Sequence, residues 1–392
     1  MPTAVIIDAV RSPLGRRNGQ LAGWHPADLA GEVLAGLVGR NDLDPVLVED
    51  VIMGCVIQVG EQALNIGRNA VLAAGFPESV CATTVDRQCA SSLQAVSFAA
   101  QGVMAGAYEV VVAAGVESTT RAPMGASMVP GLGAPFGPAM TARYAPVGGL
   151  VPQGIAAEAI ADRWQLSRHD LDAYAVTSHQ RAARASTEGR FAAQIIPMKV
   201  RDAQGHETGE VTSQDEGIRP LTTMESLGRL RPAFRLGGSI TAGNSFQMAD
   251  GAAAVLVMSE GRAEALGLVP RARLRAFAMA GVDPVTMLSG PIPATAKALE
   301  RANLTLDDIG LIEMHESFAS VVLAWARSLG LDMARVNVNG GAIALGHPLG
   351  CSGTRLVTTL VHQLENSGAR YGLAAAGEVG GTANALVIER LG

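Results

Sequence analysis

Two apolar periodicities alternate along the chain. Apolar runs with flanking turn residues predict strands at residues 3–10 (TAVIIDAV), 49–60 (EDVIMGCVIQVG), 81–88 (CATTVDRQ) and 109–118 (EVVVAAGVES). Between them, apolar residues at helical spacing predict helices over 26–40 (PADLAGEVLAGLVGR), 63–75 (ending at Gly75) and 89–107 (CASSLQAVSFAAQGVMAGA). The alternation resumes from residue 251. Strands are expected at 251–259, 271–281 and 308–316 and in the last segment, YGLAAAGEVGGTANALVIERL, which supplies two. Helices are expected at 293–303, 317–330 and 352–368. Such alternation implies right-handed crossovers and a mixed or parallel sheet covered on both faces.

The texture differs between residues 119 and 248. APMGASMVPGLGAPFGPAM has little periodicity, and its methionines read as gap fillers. A long amphipathic stretch, 153–191, is interrupted at LSRHD, where Ser167 is suited to cap a second helix. This region reads as an insertion folded over the sheet. The flanking regions resemble each other in order: a motif residue, a small-residue helix, then a strand (CASSLQAV… then EVVVAAGVES; HPLGCSGTRLV… then YGLAAAGEV). A duplicated α/β unit follows, with helix N-termini facing a shared cleft. The units expected are 1–118 with 249–270, the insertion 119–248, and 271–392.

Composition narrows the class. The chain has 392 residues, 48% hydrophobic and 17% charged, enough for a large core. A net charge of −6 argues against a nucleic-acid face. Four scattered cysteines without CxxC spacing give neither a disulfide scaffold nor a zinc motif, so a reduced, cytoplasmic setting is expected. No secretory leader or membrane span is expected.

Three places can carry chemistry. Cys89 lies between a strand and a helix, where unpaired N–H groups and the dipole favour thiolate; it is also the kind of small residue that is simply buried. His347 sits in GGAIALGHPLGCSG, whose glycines allow close backbone approach to a ligand, or it is a satisfied loop histidine. Together they suit a nucleophile–base pair for acyl transfer. His315-Glu316 ends a strand. The His-Glu-Ser-Phe-Ala sequence departs from His-Glu-x-x-His, so no metal is expected. Cys351 and Ser352 read as packing or capping residues, Cys55 and Cys81 as core, and His169, His179 and His206 as solvated.

These motifs resemble the thiolase family over essentially the whole chain. VDRQCASSLQAV is similar to its nucleophile motif, MHESFAS to its Asn/His-Glu-Ala-Phe motif and NGGAIALGHPLGCSG to its Gly-His-Pro motif. The ending GGTANALVIERL is most similar to bacterial thiolases of fatty-acid and steroid side-chain degradation. The resemblance implies an α/β fold of duplicated βαβαβαββ halves, layered α-β-α-β-α, with an inserted loop domain. It implies coenzyme A as a substrate rather than a permanent cofactor, acyl-CoA partners, and a homodimer or homotetramer. By resemblance, Cys89 takes the acyl group, His347 activates it, and His315 holds a water in an oxyanion site. Cys89, Val379 and His347 supply oxyanion-hole positions. Arg219, Ser226, Phe234, Ala242, Phe246 and Phe318 match positions along bound coenzyme A.

The chain also departs from the pattern. The last family motif, Cys-x-Gly-Gly-Gly, falls on Gly377-Glu378-Val379-Gly380-Gly381, so the second catalytic cysteine is absent. Ser317 does not replace it. Phe246 stands for a small serine and Gln153 for a methionine, implying an altered channel. Making or breaking a carbon–carbon bond needs an acid/base at the α-carbon, and the candidate stand-ins are Glu378, His315 or a water filling the space above Gly377, with Glu378 the one put forward as replacement. Val379 is β-branched and resists positive φ, which would reshape the oxyanion hole. The expected reaction is thiolytic cleavage of a 3-oxoacyl-CoA to acetyl-CoA and a shortened acyl-CoA, or its reverse. The alternatives are acyl transfer or thioester hydrolysis without the Claisen step, and a non-catalytic acyl-CoA-binding subunit.

Overall fold

The computed structural model describes residues 2–392. The first half runs β1 (Ala4–Arg11), a two-residue β2 (Gly15–Arg16), α1 (Pro26–Arg40), β3 (Asp50–Gly54), α2 (Ile66–Ala73), β4 (Cys81–Val85), α3 (Ser91–Ala105) and β5 (Val110–Ser118). The insertion carries α4 (Pro138–Tyr144), α5 (Gln153–Arg163), α6 (Arg168–Thr187), the hairpin β6 (Met198–Arg201) and β7 (Glu207–Thr212), and α7 (Met224–Gly228). Then come β8 (Ala249–Ser259), α8 (Glu260–Ala265), β9 (Ala272–Gly281), α9 (Pro291–Ala302), β10 (Ile309–Met314), α10 (Ala319–Leu329), α11 (Ala342–Leu345), α12 (Ser352–Ser367), β11 (Tyr371–Gly377) and β12 (Thr382–Arg390).

The sheet order is β10-β11-β12-β9-β1-β8-β5-β3-β4, with β2 on β8. The duplication is visible in it: β1-β8-β5-β3-β4 on one side matches β9-β12-β11-β10 on the other, where an Ile312–Val336 bridge stands for the fifth strand. Antiparallel pairing of β1 with β9 joins the halves. Strand alternation sorts the side chains into layers. Val5 and Ile7 pack outward on α1 and α2, while Ile6 packs inward on α3 and α12. Ala375 faces α9 and α10, while Ala374 and Ala376 face α3 and α12. The result is α-β-α-β-α, with α3 and α12 as the shared middle layer.

The middle layer is unusually close. A Cβ at Gly353 on α12 would lie 2.0 Å from the Leu93 backbone nitrogen on α3, and one at Gly350 would lie 2.6 Å from Cys55 Cα and Val116 O. Ser92 Oγ accepts from Thr354 N–H at 2.9 Å across the same crossing. The motif residues sit just before these two helices, so the crossing sets their separation.

Several local expectations are corrected. The strand expected over 49–60 ends at Gly54, and the helix expected from 63 starts at Ile66, because Leu64 and Asn65 have positive φ. Ser167 does cap α6, in a capping box with Asp170. Cys55 is buried but Cys81 is exposed on the edge strand β4. His179 is not solvated; it is buried, and its Nδ1 accepts from Arg219 N–H at 3.1 Å. Met124 and Met128 do not fill gaps but are exposed.

The crossing makes a prediction. Gly353→Ala should cost about 3 kcal/mol in chemical denaturation, as overpacking against backbone does. A stability equal to that of the unsubstituted chain would show that the α3–α12 contact is not tight.

Candidate active site

Cys89 follows Gln88, held at φ +46°, and precedes Ala90, which caps α3. Asp86 Oδ1 accepts from Gln88 N–H at 2.7 Å, and Ser91 Oγ accepts from Arg87 N–H at 2.9 Å, which fixes the turn. Across the crossing, His347 donates its backbone N–H to Gln247 O at 2.8 Å. Its Nδ1 lies 2.6 Å from Ser352 Oγ, which is 3.0 Å from Pro348 O. A carbonyl can only accept, so the Ser352 proton goes to Pro348 and Ser352 accepts from Nδ1–H. That assignment leaves Nε2 unprotonated, and among the described residues Nε2 has no protein partner.

His315 leaves β10 with its N–H donated to Ala375 O at 2.8 Å. Its ring lies 4.2 Å, centroid to centroid, from that of His347, and neither of its nitrogens has a protein partner. Sulfur and ring-nitrogen atoms of Cys89, His315 and His347 all lie within 4.8 Å of one another, and all three residues are buried. Glu316 points away from them. It accepts from Tyr174 Oη at 2.6 Å, Ser178 Oγ at 2.8 Å, Asn337 Nδ2 at 2.9 Å and Ile343 N at 3.0 Å, pinning the glycine loop.

The expectation that the helix start makes Cys89 a thiolate is corrected. Burial pushes its thiol up to about 12, the Glu378 charge adds to this, and its own backbone N–H opposes them. Burial, with Arg355 adding, holds His315 down to about 3. Burial and then the neighbouring His315 hold His347 well below the usual range. The pair is therefore held as thiol and neutral imidazole.

Glu378 is buried where β11 turns toward β12, and burial pushes its carboxyl up to about 8. The Thr382 hydroxyl donates to Oε2. Asn384 donates to Oε1 at 3.0 Å in the amide orientation that satisfies the network. Strand alternation puts residue 378 on the side of Ala374 and Ala376, which face α3. Position 377 faces the other way: a Cβ there would lie 3.0 Å from Pro291 Cγ and Cδ. Val379 is outside the left-handed region, whereas Gly380 and Gly381 have φ of +89° and +81°. The turn therefore takes its positive φ at glycines, and the strain expected at Val379 does not arise.

A cavity of about 940 Å³ opens onto Cys89. Ile57, Met128, Leu132, Phe136, Gln153 and Val379 are among its lining residues. The other approach is aromatic. Phe234 meets Phe318 edge-on at 5.9 Å, Phe318 meets Phe246 at 6.1 Å, and Phe246 meets His347 at 4.9 Å. Phe234 is 42% exposed and Phe318 is buried, so this chain of ring contacts runs from the surface to His347. Arg219 and Ala242 line a separate smaller cavity of about 110 Å³, while the exposed Ser226 hydroxyl is used in capping α7.

Sequence reasoning missed two supporting residues. Ser352 was read as packing or capping, although its spacing from His347 puts it on the first turn of α12, directly behind the ring. Glu117, a lone acid closing an apolar strand, accepts from Val56 N and Gly350 N at 2.9 Å, Ile57 N at 3.1 Å and Gln62 Nε2 at 2.5 Å. It thereby ties the Cys89 side to the His347 side. Ser352→Ala should slow alkylation of Cys89 by iodoacetamide about tenfold at neutral pH, the worth of one such bond. Ser352→Thr should restore it, and an unchanged rate in the alanine variant would remove Ser352 from this role.

Comparison with known proteins agrees with this geometry. Residues 4–261 match the family model "Thiolase, N-terminal domain" and residues 268–390 match "Thiolase, C-terminal domain". The chain is 45% identical to the steroid 3-ketoacyl-CoA thiolase FadA6 of Mycobacterium tuberculosis, over 100% of this chain and 95% of that protein. It is 45% identical to a 3-ketoacyl-CoA thiolase of Photobacterium profundum, over 100% of both. The Bacillus anthracis acetyl-CoA acetyltransferase structure superposes with a TM-score of 0.91 at 38% identity, covering 100% of this chain and 99% of that one. Human mitochondrial 3-ketoacyl-CoA thiolase gives 0.90 at 35% identity, with the same coverage. With the duplicated fold, the motif residues and these matches in agreement from end to end, the chain belongs to the thiolase family.

Proposed function

We propose that the chain is a coenzyme A-dependent acyltransferase that cleaves a 3-oxoacyl-CoA with coenzyme A, through an acyl-enzyme on Cys89. The observation that carries this is the buried cluster of Cys89, His347 and His315, with a partner-free Nε2 on the base. Cys89 Sγ attacks the 3-oxo carbon as its proton passes to His347 Nε2. The C2–C3 bond breaks, and its electron pair moves to C2 as an enolate. Glu378 protonates C2, giving acetyl-CoA. Coenzyme A then gives its thiol proton back to Glu378 and attacks the Cys89 thioester, and the departing sulfur recovers the proton from His347. The backbone N–H groups of Cys89 and Val379, with His315 and His347, stabilise the successive oxyanions. Arg219 and Ser226 serve the nucleotide end of coenzyme A, and Phe234, Ala242, Phe246 and Phe318 its pantetheine.

The cavity supports a bulky apolar acyl group. Its volume lies at the upper end of the roughly 300–1,000 Å³ typical of small-molecule sites. A relative named for steroid substrates points the same way. We place the protein in the cytoplasm, as a homodimer or a dimer of dimers with no permanent cofactor. The unpaired outer edge of β4, which leads straight to Asp86 and Cys89, is the surface a second copy would cover. Among the described residues, no helix is long and apolar enough to cross a membrane.

Acylation and cleavage are tested separately. Incubation with an acyl-CoA should add one acyl mass to the chain, lost in Cys89→Ala; no adduct with any acyl-CoA would end the enzymatic reading. Bulky 3-oxoacyl-CoA substrates should be cleaved with higher kcat/KM than acetoacetyl-CoA, and the opposite order would remove the bulky-substrate reading.

Glu378 is tested through its proton. Raised to about 8, it is the acid form below that pH and the base form above it. Cleavage, which needs the acid, should hold below about pH 8 and fall as pH rises through it; the reverse condensation should rise. Glu378→Gln should lower cleavage by about 10²–10⁴-fold while Cys89 still takes its acyl mass. Cleavage undiminished in that variant would give the role to another group.

A further inference from the structure

We infer that Cys89, His315 and His347 form a binding site for a thiophilic divalent cation, zinc above all, that competes with the acyl group for Cys89. The local sequence gave no such site, because the donors come from three separate segments: the turn before α3, the end of β10, and the glycine loop before α12. The fold brings one sulfur and two imidazole nitrogens within 4.8 Å of one another. All three residues are at most 5% exposed. Among the described residues neither nitrogen of His315 nor Nε2 of His347 has a protein partner, so each ring has a nitrogen free to coordinate.

The donor set suits the ion. One thiolate and two imidazoles are ordinary zinc ligands, and a three-ligand set leaves a fourth position open. Zinc–sulfur and zinc–nitrogen distances of about 2.3 and 2.0 Å require the donors to draw in by about 1 Å, which side-chain rotation can supply. The Ser352 bond to Nδ1 of His347 is the outer partner a metal-bound histidine ordinarily has, and it turns Nε2 inward. His315 is the third donor, and an asparagine, which the family motif also allows here, would not supply an imidazole. Binding is coordination without redox change: the Cys89 S–H bond breaks, its proton leaves to solvent buffer, and the sulfur bonds the cation. The acyl group and the cation need the same sulfur, so each excludes the other. Occupancy of the site is independent of the acyl-transfer reading. Only the resulting inhibition rests on it.

The test uses the full-length chain carrying Cys81→Ser, which removes the exposed thiol. Titration with zinc should show one ion per chain by calorimetry, and cobalt should give a thiolate-to-metal charge-transfer band with the intense visible bands of tetrahedral coordination. Prior alkylation of Cys89 should abolish both signals without any substitution. His315→Ala should weaken zinc by at least the roughly 10–100-fold that loss of even an outer partner costs. If the acyl-transfer reading holds, zinc should also inhibit cleavage, chelator should reverse it, and acylated enzyme should be protected. Absence of a cobalt–thiolate band, or zinc binding that survives both Cys89 alkylation and His315→Ala, would overturn the proposal. A missing acyl adduct with the metal signals intact would overturn the acyl-transfer reading alone.

Discussion

The structure depends on one close contact, the crossing of α3 and α12. Each half alone could bury the outer face of its sheet on its own helices, as Val5 and Ile7 do on α1 and α2 and Ala375 does on α9 and α10. The inner faces have only this one shared layer to bury against. Gly353 lets the two helices approach to backbone distance, Gly350 lets the loop before α12 close on the ends of β3 and β5, and Ser92 and Thr354 pair across the helices. Because Cys89 precedes one helix and His347 precedes the other, core packing and catalytic spacing are the same geometric requirement. A side chain at Gly353 would move Cys89 away from His347 while it loosened the core.

The crossing also determines the electrostatics. Placing both helix starts in the middle of the molecule removes water from Cys89, His315 and His347 together. At Cys89 burial opposes the backbone N–H at the helix start, which favours thiolate, and burial wins; at the histidines burial and the neighbouring charges act together, so the thiol is held protonated and the imidazoles neutral. The buried acids nearby are satisfied by dense hydrogen bonding. Glu117 accepts from three backbone N–H groups and an amide, and Glu316 from four donors on three segments. These acids hold the loops around the site and leave the reacting atoms to neutral groups.

Much of this was legible in the sequence. Periodicity located the alternating elements, and the extent of α1 and the Ser167 cap of α6 came out as expected. Cys89 and His347 could be paired because each precedes a small-residue helix in a repeated order. What was not legible depends on contacts between distant segments. The His179 bond to Arg219, the exposure of Cys81 on an edge strand, and the Ser352 hold on His347 leave no local pattern. The hairpin of β6 and β7 lies in a polar stretch, largely exposed, where periodicity carries little signal. The protonation state of Cys89 was misread for a related reason: a helix start is a local feature, whereas burial is a property of the whole fold.

The turn after β11 shows why an aligned motif and a built site differ. Alignment makes Gly377 the position of a lost group, yet a side chain there would point at Pro291, at the start of α9. The next residue turns toward the middle layer, and it is an acid with its carboxyl buried, bonded by Thr382 and raised to about 8. A carboxyl in that range can exchange a proton with carbon near neutral pH, which an ordinary exposed carboxylate does poorly. The glycine at 377 and the acid at 378 are thus two halves of one arrangement: the strand gives up a side chain where the wall of α9 is close, and it places a buried carboxyl one residue later, on the side of the middle layer.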